Sequence, residues 1–171
     1  MINNGIYDCG GIRMNWKNDN DGNIKELEIL EFNVGGFSYG VDIIEIKEIL
    51  PYDQNPTPIP NSHPYIEGMV MPRDFIVPII DMVKCLQLAD VHKLEIEMLI
   101  VTSINDLNIA FHVDQVQGIH RILSNEIQKV DKNLSTKVQD VVIGTINGED
   151  TLIEILDLRK IITMINPNVL K

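Results

Sequence analysis

Apolar and polar side chains begin to alternate at residue 26, and residues 26–34 have the sequence ELEILEFNV. Near-alternation of this kind predicts a half-buried β-strand. Gly35 and Gly36 follow directly. Because glycine reaches positive φ without steric cost, this pair predicts a two-residue hairpin turn. The segment from Phe37 to Ile43 is then expected to return as the partner strand.

Short apolar segments separated by polar turns continue through the rest of the chain. Residues 43–50 fit neither the strand period nor the helix period, and they suggest a turn of helix followed by a short strand. Short helices are predicted at residues 81–86, after Ser124 as an N-cap, and from Asp157 through Met164. Many short strands between turns favour small β-barrels, but periodicity alone does not divide the chain into two lobes. The further predicted strands flank residues 71–74 and lie at residues 98–101, 109–113, 116–123, 141–146 and 151–156.

Residues 71–74, with the sequence MPRD, separate two short apolar segments and predict a hairpin with Arg73 at its tip. Pro72 fixes φ and suits the start of a tight turn, so Arg73 is expected to be displayed to solvent. Pro78 lies in the returning segment, where it cannot donate a ladder hydrogen bond. This position predicts an edge strand or a bulged strand.

The two ends of the chain differ from the middle. Residues 1–25 are polar, rich in Asn, Asp and Gly, and without a steady period, so we interpret them as a flexible tail with a short helix near Trp16. One domain is expected over residues 26–165, followed by a C-terminal tail at residues 166–171. A chain of 171 residues fits one domain, or one domain built of two small lobes.

Charge and cysteine content narrow the classes of partner and the location. The net charge of −11 leaves no surplus of Lys and Arg to neutralise phosphates, which argues against a nucleic-acid partner and against direct contact with a membrane. Cys9 and Cys85 lack the spacing of a metal site, so a reducing, cytoplasmic location is expected. Neither a signal peptide nor an apolar run of spanning length is visible in the sequence.

The sequence offers little that could carry out chemistry. Its four histidines lack the spacing of a metal-binding pair, and a calcium loop over residues 17–28 would need a carboxylate where Lys17 stands. Neither a Gly-x-Ser-x-Gly elbow nor a glycine-rich phosphate loop occurs. We therefore expect no metal, no cofactor and no enzymatic activity, and a protein that works through its surfaces.

Four sequence blocks resemble those of CheW-like domains, the coupling modules of bacterial chemotaxis, and they occur in the order found in that family. The similarity extends from Glu26 to about Ile165. Within the family, residues 26–29, 111–113 and 119–122 are most similar to the N-terminal coupling domain of CheV proteins. The blocks are YGVDI with IKEI (39–43, 46–49), IP, IEG, Arg73 and IVPIID (59–60, 66–68, 73, 76–81), FHVDQV (111–116), and IGTI with ILDL (143–146, 155–158).

The resemblance implies a mainly β fold of two five-stranded SH3-like barrels side by side, with short helices and a C-terminal helix. It implies that Arg73 orders a protein-binding surface by pairing with Glu48, beside the apolar contacts Ile46 and Val70. The implied partners are the regulatory domain of a CheA-type histidine kinase and the cytoplasmic tip of chemoreceptors. The glycines that match the family, interpreted as structural, are Gly40, Gly68 and Gly144.

Two departures from the family pattern leave alternatives open. The family usually has Asn-Leu-Arg-Gly at the hairpin, whereas here Asp74 replaces the glycine and places a carboxylate beside Arg73. CheV proteins continue into a receiver domain, and this sequence ends at Lys171, so it is either a fragment or a CheW-type coupler with CheV-like features. The other functions left open are a divergent adaptor for different signalling partners, and an enzyme or small-ligand binder that uses a cleft between the barrels.

Overall fold

A computed structural model of the protein describes residues 24–53, 55–89, 96–130 and 139–170. The described residues form ten β-strands, two short α-helices and three 3-10 turns. The strands are β1 (Glu26–Val34), β2 (Phe37–Asp42), β3 (Ile46–Pro51), β4 (Ile66–Val70), β5 (Val77–Asp81), β6 (Met98–Ile104), β7 (Leu107–Val113), β8 (Gln115–Leu123), β9 (Val142–Asn147) and β10 (Leu152–Leu156). The helices are α1 (Met82–Cys85) and α2 (Leu158–Ile165), and the 3-10 turns are Ile43–Glu45, Ser124–Glu126 and Gln139–Val141.

The strands form two five-stranded sheets. The first sheet has the order β8-β1-β2-β10-β9, and the second has the order β3-β6-β7-β5-β4. Neighbouring strands are antiparallel except for β2 with β10 and β5 with β7, which are parallel. The predicted mainly β fold with two five-stranded units side by side is therefore confirmed.

In each sheet the chain that leaves one edge strand pairs with the opposite edge strand. Beyond β3, Thr57 exchanges two backbone hydrogen bonds of 2.8 Å with Met69 of β4. Beyond β8, Gln128 exchanges bonds of 2.8 and 3.0 Å with Thr145 of β9. These bridges connect the two edges of each sheet and satisfy backbone groups that an open edge would expose.

An apolar core lies between the two sheets, and each sheet also has an interior core of its own. The shared core includes Phe32 and Tyr39 of the first sheet, Phe111 of the second, and Met82 and Ile161 of the helices. Burying a side chain of this size contributes about 1.5–3 kcal/mol. This packing occupies space between the sheets and holds them together.

The two sheets share one arrangement of strands. Ile79 of β5 pairs with Ala110 of β7, and Ile155 of β10 pairs with Gly40 of β2. When these two parallel pairs are aligned with each other, every strand of one sheet has a counterpart in the other sheet. The counterparts are β3 and β8, β4 and β9, β5 and β10, β6 and β1, and β7 and β2.

A helix follows the same strand in both sheets. Asp81 ends β5 and its Oδ1 accepts a hydrogen bond of 3.1 Å from the Lys84 N–H, which caps α1. Asp157 follows β10 and accepts one of 3.2 Å from the Lys160 N–H, which caps α2. The C-terminal helix predicted from Asp157 is therefore confirmed.

Pro78 was expected to lie in an edge strand or a bulged strand, but its strand is an inner strand of the sheet. Strand β5 lies inside the second sheet, between β7 and β4. On β4, the residue paired with Pro78 is Met69, and both backbone hydrogen bonds of Met69 go to Thr57. The parallel ladder between β5 and β7 begins one residue after Pro78, where Ile79 pairs with Ala110. The missing N–H of the proline therefore costs no ladder bond.

Ser124 was expected to cap a helix, and this prediction is wrong. Ser124–Glu126 is a single 3-10 turn, and the Ser124 hydroxyl accepts a hydrogen bond of 3.1 Å from the Lys25 N–H. The side chain that caps this turn is Glu126, which accepts from the Leu123 N–H. The predicted tail and the tested calcium loop lie, up to residue 23, outside the described residues.

Candidate functional site

The loop between β4 and β5, residues 71–76 (the Arg73 loop), is attached to β3 by an ion pair. Arg73 Nη2 donates to Glu48 Oε2 at 3.0 Å. The side chain of Arg73 is 69% exposed, whereas that of Glu48 is 16% exposed. Glu48 Oε1 is buried and accepts no hydrogen bond from the described residues. Arg73 thus neutralises a largely buried carboxylate while most of its own side chain stays accessible to a partner.

A β-bulge at Lys47 explains why β3 reaches the Arg73 loop at two points. The register between β3 and β6 skips this residue, so Lys47 and Glu48 share one position of the ladder. Lys47 Nζ lies 4.1 Å from the centre of the Phe75 ring and 3.1 Å from Asn108 Oδ1. Neither Lys47 nor Phe75 could be predicted from the sequence as part of this site, because bulges leave no clear signal in a hydrophobic pattern.

A groove with a volume of about 230 Å³ lies beside this ion pair, between β3 and β4. Val70 lines the groove, while Ile46 is half-buried against the core between the sheets. Exposed apolar side chains border the same region at Ile49, Met71 and Ile76. The residues that line the groove are Leu50, Pro51, Asp53, Asn55, Thr57, Met69, Val70, Met71, Pro72 and Leu99.

We use the term docking face for Ile46, Glu48, Val70 and Arg73, the four residues predicted to bind partners. The structure brings Glu48 and Arg73 into direct contact and places Val70 at the adjacent groove. Ile46 is near in sequence but turned largely inward. Their role in binding stays a prediction.

The three glycines predicted to be structural all lie within strands, where neighbouring atoms leave no room for a side chain. A Cβ on Gly68 would stand 2.6 Å from the Thr57 carbonyl oxygen, at the bridge that joins the edges of the second sheet. Gly144 is its counterpart in the first sheet, where a Cβ would stand 2.8 Å from the Gln128 carbonyl oxygen. A Cβ on Gly40 would meet Ile29 at 2.6 Å.

Four polar side chains, which we call the polar cluster, meet inside the second sheet: Tyr52, Glu67, Glu97 and His112. His112 Nδ1 lies 2.5 Å from Glu67 Oε1, and Nε2 lies 3.3 Å from Glu97 Oε2, a contact poorly aligned for a hydrogen bond. Tyr52 donates its hydroxyl to Glu67 Oε2 at 2.8 Å, and its ring stacks on His112 at 3.9 Å between centroids. None of these four residues was predicted from the sequence as a site residue.

Burial and these contacts change the pKa values of His112 and Tyr52. Burial alone lowers the pKa of His112, but the hydrogen bond and charge of Glu67 and the charge of Glu97 outweigh it, and the net pKa is raised. Burial first, and then the hydrogen bond to Glu67, raise the pKa of Tyr52.

Away from the polar cluster, burial raises the pKa of the Cys85 thiol to about 12, so this cysteine stays protonated and unreactive in the folded chain.

The polar cluster does not have the geometry of a metal site. Its two carboxylates approach opposite nitrogens of the His112 ring, so the three groups do not converge on one point. Within residues 24–53, 55–89, 96–130 and 139–170, no three His, Cys, Asp or Glu side chains are placed to hold a metal ion. None of the helices in these ranges has the length and apolar character needed to cross a membrane.

Comparison with known proteins agrees with the fold. The profile of the CheW-like domain family matches residues 28–166. The chain is 30% identical over 140 residues to the chemotaxis protein CheW of Thermotoga maritima, spanning 81% of this chain and 89% of the relative. It is 28% identical over 160 residues to the chemotaxis protein CheV3 of Helicobacter pylori, spanning 85% of this chain and 50% of CheV3.

A solved structure shows the same architecture. The scaffolding protein TtCheW from Thermoanaerobacter tengcongensis superposes with a TM-score of 0.70 at 26% sequence identity, covering 78% of this chain and 86% of TtCheW. Together with the match of the family profile over most of the described residues, this confirms the resemblance inferred from the sequence blocks. The chain belongs to the CheW-like domain family.

Proposed function

We propose that this protein is a chemotaxis coupling scaffold that links methyl-accepting receptors to a CheA histidine kinase through protein–protein contacts. The relatives named above are chemotaxis proteins, and TtCheW is described as a scaffolding protein. The single observation that carries the proposal is the exposed Arg73, held by Glu48 at the edge of the second sheet in a chain of this family.

The docking face suits a weak, reversible contact. Arg73 offers a charged fork, while the groove beside Val70 and the exposed Met71 and Ile76 supply apolar area. Transient signalling contacts bury about 1,200 Å² or less in total. Such contacts still assemble firmly when many copies bind at once, because each linked site raises the effective concentration of the next.

In this proposal the regulatory domain of the kinase and the cytoplasmic tip of the receptor bind separate parts of the scaffold, in the cytoplasm. The protein changes the kinase by holding it against the receptor, so that the conformation of the receptor biases the activity of the kinase. It makes and breaks no covalent bond. Asp74 does not prevent this role, since Arg73 pairs with Glu48 on a separate strand.

The test is to measure binding of the kinase regulatory domain and of a receptor-tip fragment, each titrated separately in a calorimeter. Arg73→Ala removes the exposed guanidinium, so we expect binding to weaken at least about tenfold at this face. The free energy of unfolding should fall by about 1–2 kcal/mol, because Arg73 itself is exposed but its loss leaves the largely buried Glu48 carboxylate unpaired. Glu48→Lys should have the same effect on binding, because it repels Arg73.

The matched control is Arg121→Ala, which removes an exposed ion pair of 3.0 Å with Glu28 on the first sheet. This variant should bind both partners as the natural protein does. Wild-type affinity in both Arg73→Ala and Glu48→Lys would disprove the docking face. If the natural protein bound neither the kinase regulatory domain nor the receptor-tip fragment, the coupling function itself would be disproved.

A further inference from the structure

The polar cluster joins β3 and β4, the edge strands of the second sheet that also carry Ile46, Glu48 and Val70 of the docking face. Tyr52 follows the last residue of β3, and Glu67 lies on β4, so their hydrogen bond of 2.8 Å spans the two edge strands. The Tyr52 N–H also donates to the Glu97 carbonyl oxygen at 2.9 Å. The Arg73–Glu48 pair joins β3 to the loop that follows β4.

The charge state of His112 decides whether the polar cluster is satisfied. The side chains of His112, Glu67 and Glu97 are only 15%, 13% and 8% exposed. A doubly protonated ring presents an N–H to each carboxylate. A neutral ring must present a lone pair to one of them, and an unpaired carboxylate in such a place is costly. The weaker contact, from Nε2 to Glu97, is the one we expect to be lost first.

The fold itself does not require charged groups at this place. In the first sheet, three of the four counterpart positions are apolar. By strand register the counterparts are Ile122 for Tyr52, Ile143 for Glu67, Leu27 for Glu97 and Asp42 for His112. Because well-packed apolar side chains fill one sheet, the polar cluster in the other calls for an explanation other than stability.

The remaining ionisable groups around His112 are already engaged. Asp81, its register partner on β5, caps α1 and forms an ion pair of 3.1 Å with Lys84. Asp114, which follows β7, accepts a hydrogen bond of 2.7 Å from the Gly35 N–H. Both carboxylates add negative charge near the ring, but neither has the close contact that Glu67 and Glu97 make.

We propose that the proton on His112 works as a latch that holds the β3 and β4 edges together and so makes the docking face sensitive to pH. When His112 is doubly protonated, Glu67 and Glu97 are both neutralised and Tyr52 is held against Glu67. When the proton leaves, the polar cluster loosens and the groove between β3 and β4 opens. The consequence for partner binding rests on the proposed function, whereas the latch itself does not.

The direction of the pH dependence follows from the histidine. A group whose pKa is raised by folding stabilises the folded state fully below its unfolded pKa, which is about 6.5 for histidine. That contribution is lost as pH rises through the higher pKa of the folded state. We therefore expect the latch to be closed in mildly acidic solution and open in alkaline solution.

The experiment follows His112 by NMR and the amides of Tyr52 and Thr57 by hydrogen exchange, from about pH 5.5 to about pH 9. His112 should titrate above the unfolded value. After correction for the intrinsic rate, protection of both amides should fall about tenfold for each unit of pKa difference. A His112 ring that titrates at or below the unfolded value, or amide protection that does not follow its titration, would overturn the latch.

Glu97→Gln tests the same point by a separate route. It removes one carboxylate without changing the shape, so the His112 titration and the loss of amide protection should both move to lower pH. The matched control is Glu31→Gln, next to His120 on the first sheet. It should leave the His112 titration and the Tyr52 profile unchanged; equal shifts in both variants would count against the latch.

Binding of the partner whose affinity Arg73→Ala weakens is then measured over the same pH range. The affinity should fall as the latch opens, and it should fall at lower pH in Glu97→Gln. A constant affinity across a titrating latch would overturn the link to the docking face. If neither partner binds at any pH, the proposed function fails, and the NMR titration still decides the latch.

Discussion

In the first sheet the bulge on β8 carries Gln117 and Gly118, and in the second sheet the equivalent bulge on β3 carries Lys47 and Glu48. The backbone irregularity is the same in both. Only the second sheet uses it to present two charges to a neighbouring hairpin, where Glu48 binds Arg73. Shared backbone geometry thus reports the fold, and the side chains added to one copy report the function.

The interiors of the two sheets differ in the same sense. Ile122, Ile127 and Ile143 pack against the small core of the first sheet, whereas the counterpart region of the second sheet contains the polar cluster. The stability of an apolar interior does not depend on protonation, whereas the stability of an interior with ionisable side chains does. The polar cluster is therefore expected to make the stability of the second sheet depend on pH.

The largest effect is expected where the second sheet closes on itself. Gly68→Ala forces a Cβ to within 2.6 Å of the Thr57 carbonyl, whereas Gly118→Ala meets nothing within 4 Å. The two glycines have φ values of 158° and 157°, so any backbone cost cancels in the comparison. Gly68→Ala should lower the free energy of unfolding by about 3 kcal/mol, and Gly118→Ala by far less. Equal losses in urea titrations would show that steric space does not distinguish the two sites.

An intermediate loss of stability is expected when a carboxylate is introduced into the first sheet at a position where the second sheet already has one. Ile143→Glu places a carboxylate at the counterpart of Glu67, among apolar neighbours such as Ile122. Since the first sheet has Asp42 where the second has His112, the new carboxylate lacks the histidine partner that Glu67 has, and the free energy of unfolding should fall by about 2 kcal/mol at neutral pH. The loss should shrink in acid as the new carboxyl takes up a proton. Ile143→Leu is the control, and a loss independent of pH would contradict the explanation.

The smallest effect concerns the helix caps that follow β5 and β10. Asp157→Ala removes the acceptor for the Lys160 N–H and should cost about 1 kcal/mol, while Asp157→Asn should cost much less. Asp81→Ala removes the same cap from α1 and also the ion pair with Lys84. Thermal unfolding of the four chains, with the natural protein as reference, would show whether the two junctions are energetically alike. A larger cost at Asp157 than at Asp81 would break the comparison.

Local signals were enough to predict the hairpins. The alternation over residues 26–34, the glycine pair after it and the tip at Arg73 all appear where the sequence placed them. Pro78 misled, because a proline is excluded from an inner strand only if its position needs an N–H, and that depends on the partner strand. The pairing of Arg73 with Glu48 was expected only through the family resemblance.

Contacts between distant parts of the chain could not be predicted. His112 and Glu67 are 45 residues apart, and nothing in the composition of either strand announces their meeting. The relation between the two sheets was also hidden, because the strand order of one is a circular permutation of the other. Only the junctions at Asp81 and Asp157, each with lysine three residues later, keep a visible trace of it.

The permutation has a consequence for synthesis at the ribosome. All five strands of the second sheet lie in one uninterrupted stretch, from Ile46 to Val113. The first sheet instead combines the two ends of the domain, and the contact between Ser38 and Thr151 spans 113 residues. A nascent chain therefore carries the whole docking face before it contains β10, and the late, long-range closure falls on the sheet that lacks the docking face.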